Sequence, residues 1–164
     1  MMKSKQQFLG YDCYFLTKSE FYNIGKFKMM ICKNGSIAVF DVDEDLKKML
    51  TNVYERLLKN FPHCCHSIPI NMADNTLFFR ADKCITFAQD EVGGVCRKQL
   101  PDPGTLFTGK VSIKVAGVKV KNSEASPIVK ADQLLIIKHG GDNGEDQEEV
   151  ACRLSLNDHD EDIF

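Results

Sequence analysis

The segment "GKVSIKVAGVKVK" (residues 109–121) predicts a long strand that bends at its middle. Apolar and polar residues alternate up to Val115, as they do in a strand with one buried face. The apolar positions then resume at Val118, one residue out of phase. A β-bulge at Ala116 and Gly117 would return both apolar sets to the core. Long strands of small barrels bend in this way.

The same bulge brings the lysines of this strand onto one opposite face. They are Lys110, Lys114, Lys119 and Lys121. Cations spaced along a strand suit the phosphates of a nucleic acid. Lysines also protect exposed strands against aggregation, and the sequence leaves both interpretations open.

Further strands are predicted on both sides of a single helix. The strand candidates are residues 11–17, 26–33, 36–42, 67–70, 75–80, 83–88, 105–121 and 127–139. The Asn34-Gly35 dipeptide predicts a hairpin between 26–33 and 36–42, and residues 81–83 predict the turn of a second hairpin. Residues 44–61 have helical spacing of apolar residues, with Asp43 as the N-cap and Pro62 after the end. This pattern predicts a mainly β protein, an OB-like Greek-key barrel with one mid-chain α-helix.

Charge divides the chain near Gly140. Residues 1–140 hold 20 of the 21 basic and 14 of the 23 acidic residues, a net charge of +6. Residues 141–164 hold one basic and nine acidic residues, a net charge of −8. We therefore predict an OB-like nucleic-acid-binding domain over 1–140 and a flexible acidic linker and tail over 141–164.

Aromatic and basic residues alternate in the segment 75–88. Phe78 shares a strand face with Arg80, and Lys83 is in phase with Ile85 and Phe87. Bases of single-stranded DNA stack on exposed rings while cations contact the phosphates. Phe78, Arg80 and Lys83 are therefore predicted to contact DNA, although a place in the core is the alternative for any single ring.

Seven cysteines without framework spacing predict reduced thiols, most of them small core residues. His63, Cys64, Cys65 and His66 are zinc-ligand types, but adjacent residues of an extended chain point to opposite faces. We therefore predict no metal and no cofactor. No apolar run has the length of a membrane helix, and the first residues do not form a secretory signal, so an intracellular protein is expected.

The order of strands, the helix at 44–61, the segment "LFFRADKCITFA", the late strands and the acidic end resemble OB-fold single-stranded-DNA-binding proteins of large DNA viruses and bacteriophages. The terminal "NDHDEDIF" is similar to the acidic, phenylalanine-ended tails of bacterial and phage members. The chain departs from the bacterial members in lacking tryptophan and a long glycine-rich linker.

The resemblance implies a tail that recruits replication proteins and competes with DNA for the basic groove. The partner-binding residues would be Asp158, Asp160, Glu161, Asp162, Ile163 and Phe164. The expected function is non-enzymatic coating of single-stranded DNA in replication, recombination or repair, at sites of DNA replication, by a possible homo-oligomer. One alternative is a protein-interaction or structural module whose acidic tail binds a basic partner, without a DNA role. A second alternative is a thiol or zinc-dependent enzyme centred on residues 63–66.

Overall fold

The computed structural model of the protein describes residues 2–8 and 10–139. Its elements follow in the order β1 (Met2–Phe8), β2 (Tyr11–Ile31), β3 (Ile37–Val39), α1 (Glu44–Leu58), β4 (Cys65–His66), β5 (Leu77–Phe79), β6 (Ile85–Gln89), β7 (Val95–Lys98), β8 (Leu106–Lys121) and β9 (Glu124–His139). The described chain is mainly β with one helix, as predicted. The predicted tail, including Asp158, Asp160, Glu161, Asp162, Ile163 and Phe164, lies outside the described residues.

The strands form one open, mixed sheet in the order β5-β3-β2-β8-β9-β6-β7, with β1 added to β2 and β4 added to β9. Strand β9 runs parallel to β4 and β6, and the other pairs are antiparallel. The backbone N–H of Ala131 in β9 donates to the carbonyl of Arg80, just after β5, at 2.7 Å. Within the described residues no ladder joins β5 to β9. A closed OB-like barrel is therefore not confirmed.

Strand β8 contains the predicted bulge. Its pairing with β9 shifts between Val115 and Gly117, and Val118 beyond the shift is fully buried. A Cβ atom at Gly117 would overlap the carbonyl oxygen of Tyr14 on the neighbouring β2, so glycine is the residue that allows this approach. The phase change in the sequence thus marks a real bend, and it keeps both apolar sets in the core.

Helix α1 begins as predicted, since the Asp43 carboxylate accepts from the backbone N–H of Leu46 at 2.8 Å. It ends at Leu58, three residues before the predicted end. Its apolar face packs on β8 and β9 and buries Leu50, Val53, Tyr54, Leu57 and Leu58. Within residues 2–8 and 10–139, no helix combines the length and the apolar character of a membrane span.

Several strand predictions need correction. Residues 11–17 and 26–31 belong to the continuous strand β2, because its middle pairs with β8, and residues 32–33 lie beyond its end. The Asn34-Gly35 hairpin is confirmed, with Met29 opposite Val39. The second hairpin is wrong, since β5 pairs with β3 whereas β6 pairs with β7 and β9.

The remaining differences concern short or exposed strands. Residues 67–70 form no strand, and the two-residue β4 lies just before them. Strands β1 and β7 were not predicted. All four residues of β7 are exposed, so it lacks the apolar alternation by which a half-buried strand is recognised.

Candidate nucleic-acid interface

The outer face of the sheet, defined as the face turned away from the core, carries the predicted lysines of β8. Val111, Ile113 and Val115 are fully buried, so the intervening residues lie on the outer face. Lys110 and Lys119 are exposed there, and Lys114 is half-buried. With the exposed Lys121 at its end, this series of cations spans about 36 Å along the strand. The predicted common face is confirmed in geometry, while its role in binding stays a prediction.

Neighbouring strands add a ring and a cation beside Lys114. Lys130 of β9 lies directly opposite Lys114 on one side, and Phe21 of β2 lies directly opposite it on the other. The Phe21 side chain is 55% exposed. We call Phe21, Lys114 and Lys130 the Lys114 row. Sequence analysis missed Phe21 and Lys130 because only the pairing of β2, β8 and β9 brings them together.

A second row crosses the outer face at Lys110. Leu135 of β9 lies opposite Lys110, Phe87 of β6 is in register with Leu135, and Arg97 of β7 lies opposite Phe87. Phe87 and Leu135 are half-buried, whereas Arg97 is exposed. This row again combines an aromatic ring with cations on a single sheet face.

An aromatic pair lies beside Lys119. Phe8 of β1 and Tyr11 of β2 stack with ring centroids 4.9 Å apart and an interplanar angle of 11°. The ammonium of Lys119 lies 5.4 Å from the centroid of the Tyr11 ring, which is a cation–π distance. Phe8 is 44% exposed, so the pair has an accessible ring at the edge of the face.

The three residues outside β8 that were predicted to contact DNA lie away from the lysine series of β8. Phe78 is half-buried on the outer face, opposite Ala38. The row that contains these two residues reaches β8 at Leu106, which lies about 13 Å along the strand from Lys110. Arg80 forms an exposed ion pair with Asp82 at 3.0 Å.

Lys83 occupies the turn before β6, with a positive φ of 59° and an exposed side chain. The predicted phase of Lys83 with Ile85 and Phe87 therefore fails, because Lys83 is not part of the strand. The structure does not bring Phe78, Arg80 and Lys83 into the lysine series of β8.

The His-Cys segment is spread over a turn and the short β4. Cys64 is half-buried, Cys65 is exposed, and the ring of His66 donates through Nε2 to the Phe61 carbonyl at 2.9 Å. Among the described residues, no three His, Cys, Asp or Glu side chains are grouped closely enough to hold a metal ion together. Of the six described cysteines, which form no disulfide, two are buried, two are half-buried against the core and two are exposed, so the predicted core position is confirmed only in part.

Neither a family model, nor a curated protein, nor a solved structure matches this chain. The interpretation of the outer face therefore depends on its own chemistry.

Proposed function

We propose that this protein binds single-stranded DNA along the outer face of its sheet and coats it without sequence specificity. The observation that carries the proposal is the distribution of unpaired cations. Six basic residues of this face form no salt bridge within the described part of the chain: Arg97, Lys110, Lys114, Lys119, Lys121 and Lys130. By contrast, Lys47 and Arg56 of α1 are paired with acids.

The aromatic rings that lie between these cations favour binding of single-stranded DNA over double-stranded DNA. Phe8, Phe21 and Phe87 share the face with the lysines, and two of the three are exposed. Unpaired bases stack on such rings, whereas the bases of a duplex are already stacked on each other. Stacking and phosphate neutralisation do not read base identity, so binding with little sequence preference is expected.

An OB-like architecture is part of the proposal. The bond from Ala131 to the Arg80 carbonyl brings the chain after β5 next to β9, as a partly open barrel would. The protein would act stoichiometrically rather than as an enzyme, without a cofactor, in intracellular DNA replication, recombination or repair. The acidic tail would recruit replication proteins.

The test is a titration of fluorescent oligo(dT) at several salt concentrations. A Lys110→Ala/Lys119→Ala double variant should bind more weakly and lower the magnitude of the slope of log affinity against log salt by about 1.4, since each phosphate contact on a single strand contributes about 0.7. The control is Lys48→Ala/Lys59→Ala, which removes the same charge from exposed positions on and just after α1.

Equal slopes in the two double variants would remove the outer face from the site. Absence of binding by the wild-type protein at low salt would refute the function itself. In that case, capture of a partner through the tail would favour the protein-interaction module.

A further inference from the structure

The Lys114 row holds two like charges in direct opposition. Lys114 and Lys130 are cross-strand partners, and both side chains are half-buried. Neither forms a salt bridge with a described carboxylate. Like charges directly opposite each other in a sheet destabilise it, so the unliganded fold keeps an unfavourable pair. A bound anion between the two ammonium groups would convert this repulsion into attraction.

The row next to the pair is neutral and polar. The adjacent row of the same face contains Asn23, Ser112 and Gln133, which supply amides and a hydroxyl. Asp132 is displaced by the register shift between Ser112 and Ile113 and forms no salt bridge with either lysine. The site therefore offers donors to an anion without a paired carboxylate to compete.

The third member of the row points to the kind of anion. Phe21 lies directly opposite Lys114, and more than half of its side chain is exposed. A Phe ring in water beside a pair of cations fits a ligand with a flat apolar part and a negative part. The three strands of the row span about 10 Å from β2 to β9. A nucleotide has both parts over a comparable length, whereas a free phosphate or an acidic side chain has no surface that would cover the ring.

We infer that the Lys114 row is a subsite for one nucleotide of a single strand, with the phosphate between Lys114 and Lys130 and the base stacked on Phe21. This inference rests on the proposed function and adds to it the position of one nucleotide of the DNA strand on the sheet. It assigns the two lysines to one phosphate and the ring to the adjacent base, so ring and charge variants should respond differently to a strand without bases.

The experiment compares Phe21→Leu, Lys130→Ala and the control Lys48→Ala, with two probes: fluorescent oligo(dT) and an abasic oligodeoxynucleotide of the same length. Phe21→Leu should weaken oligo(dT) binding about 5- to 150-fold and leave abasic binding unchanged, because only a base stacks on the ring. Lys130→Ala should weaken binding of both probes. Thermal unfolding without DNA supplies a second readout, with Gln variants that remove the charge but keep most of the side chain: Lys130→Gln should raise the Tm and Lys48→Gln should not.

The outcomes separate the subsite from the proposed function. If the wild-type protein binds oligo(dT) and both row variants bind like the control, the subsite is wrong while the proposed function stands. If Lys130→Gln lowers the Tm, the repulsion on which the inference rests is absent. If the wild-type protein binds no oligo(dT), both proposals fail. Binding of the peptide NDHDEDIF in place of oligo(dT), lost in Lys130→Ala, would assign the row to an acidic peptide instead.

Discussion

Lys119 on β8 lies over the ring of Tyr11 on β2, with its ammonium 5.4 Å from the ring centroid. The same ring stacks on Phe8 of β1, so one cation and two rings from three strands meet at one edge of the outer face. The contact joins residues more than 100 positions apart in the sequence. It defines a place where a phosphate and a base of the same strand would both find a partner.

Replacement of the exposed Phe8 ring, which is the accessible member of this pair, should therefore reduce DNA binding. We expect Phe8→Leu to lose about 1–3 kcal/mol of affinity for oligo(dT), the contribution of one stacked base. Phe8→Tyr keeps the ring and should bind like the wild-type protein. The two affinities can be measured by fluorescence anisotropy at one salt concentration, and equal loss in both variants would exclude stacking as the cause.

Removal of the acidic end should strengthen DNA binding. Deletion of residues 157–164 removes charges that a tether would hold near the lysines at an effective concentration of up to the millimolar range. The gain should shrink as salt rises, because both interactions are screened. Phe164→Ala leaves every acid in place, so it should keep DNA affinity but lose binding to a replication partner in pull-down. An unchanged affinity of the deletion variant at low salt would refute competition by the tail.

Lys47 should stabilise the segment that leads into β5. Its side chain is fully buried, and its ammonium donates to the carbonyls of Met72 and Asp74 and to Oδ1 of Asn75 at 2.9–3.3 Å. It also pairs with Glu44 at 3.0 Å. Lys47→Met keeps the length of the side chain but removes its hydrogen-bond donors. The free energy of unfolding, measured in urea, should therefore fall by about 1–3 kcal/mol.

The matched control for Lys47 is Lys48→Met, because Lys48 is the next residue of α1 and is exposed. Its stability should stay within about 0.5 kcal/mol of the wild-type protein. Equal stability of the two variants would show that the buried ammonium contributes nothing net.

Cys84 should make the protein less stable at alkaline pH. Burial raises the pKa of this thiol to about 11, whereas an unfolded thiol titrates near pH 8.5. The folded state therefore binds more protons between these values, and the stabilisation, complete below about pH 8.5, is lost as pH rises towards 11. The free energy of unfolding, followed by circular dichroism, should decline less between pH 8 and pH 10 in Cys84→Ala than in the wild-type protein. Cys65→Ala removes an exposed thiol and should decline like the wild-type protein.

Features that depend on residues close together in the chain can be predicted from the sequence. The phase change between Val115 and Val118 predicts the bulge in β8, because side chains alternate faces along any strand. Asp43 and the spacing of leucines predict the start and buried face of α1, and Asn34-Gly35 predicts the first hairpin. The lysine face of β8 follows from the same alternation. Each of these predictions needs only local backbone geometry.

Which strands are neighbours depends on the tertiary structure. Segment 75–88 has the sequence of a hairpin, yet Leu77 and Phe79 bury their side chains by pairing with β3 rather than with β6. Phe21 and Lys130 meet Lys114 because β8 lies between β2 and β9. Strand pairing depends on the burial of side chains over the whole core. This free energy is non-local, so the sequence pattern of one strand does not identify its partner strand.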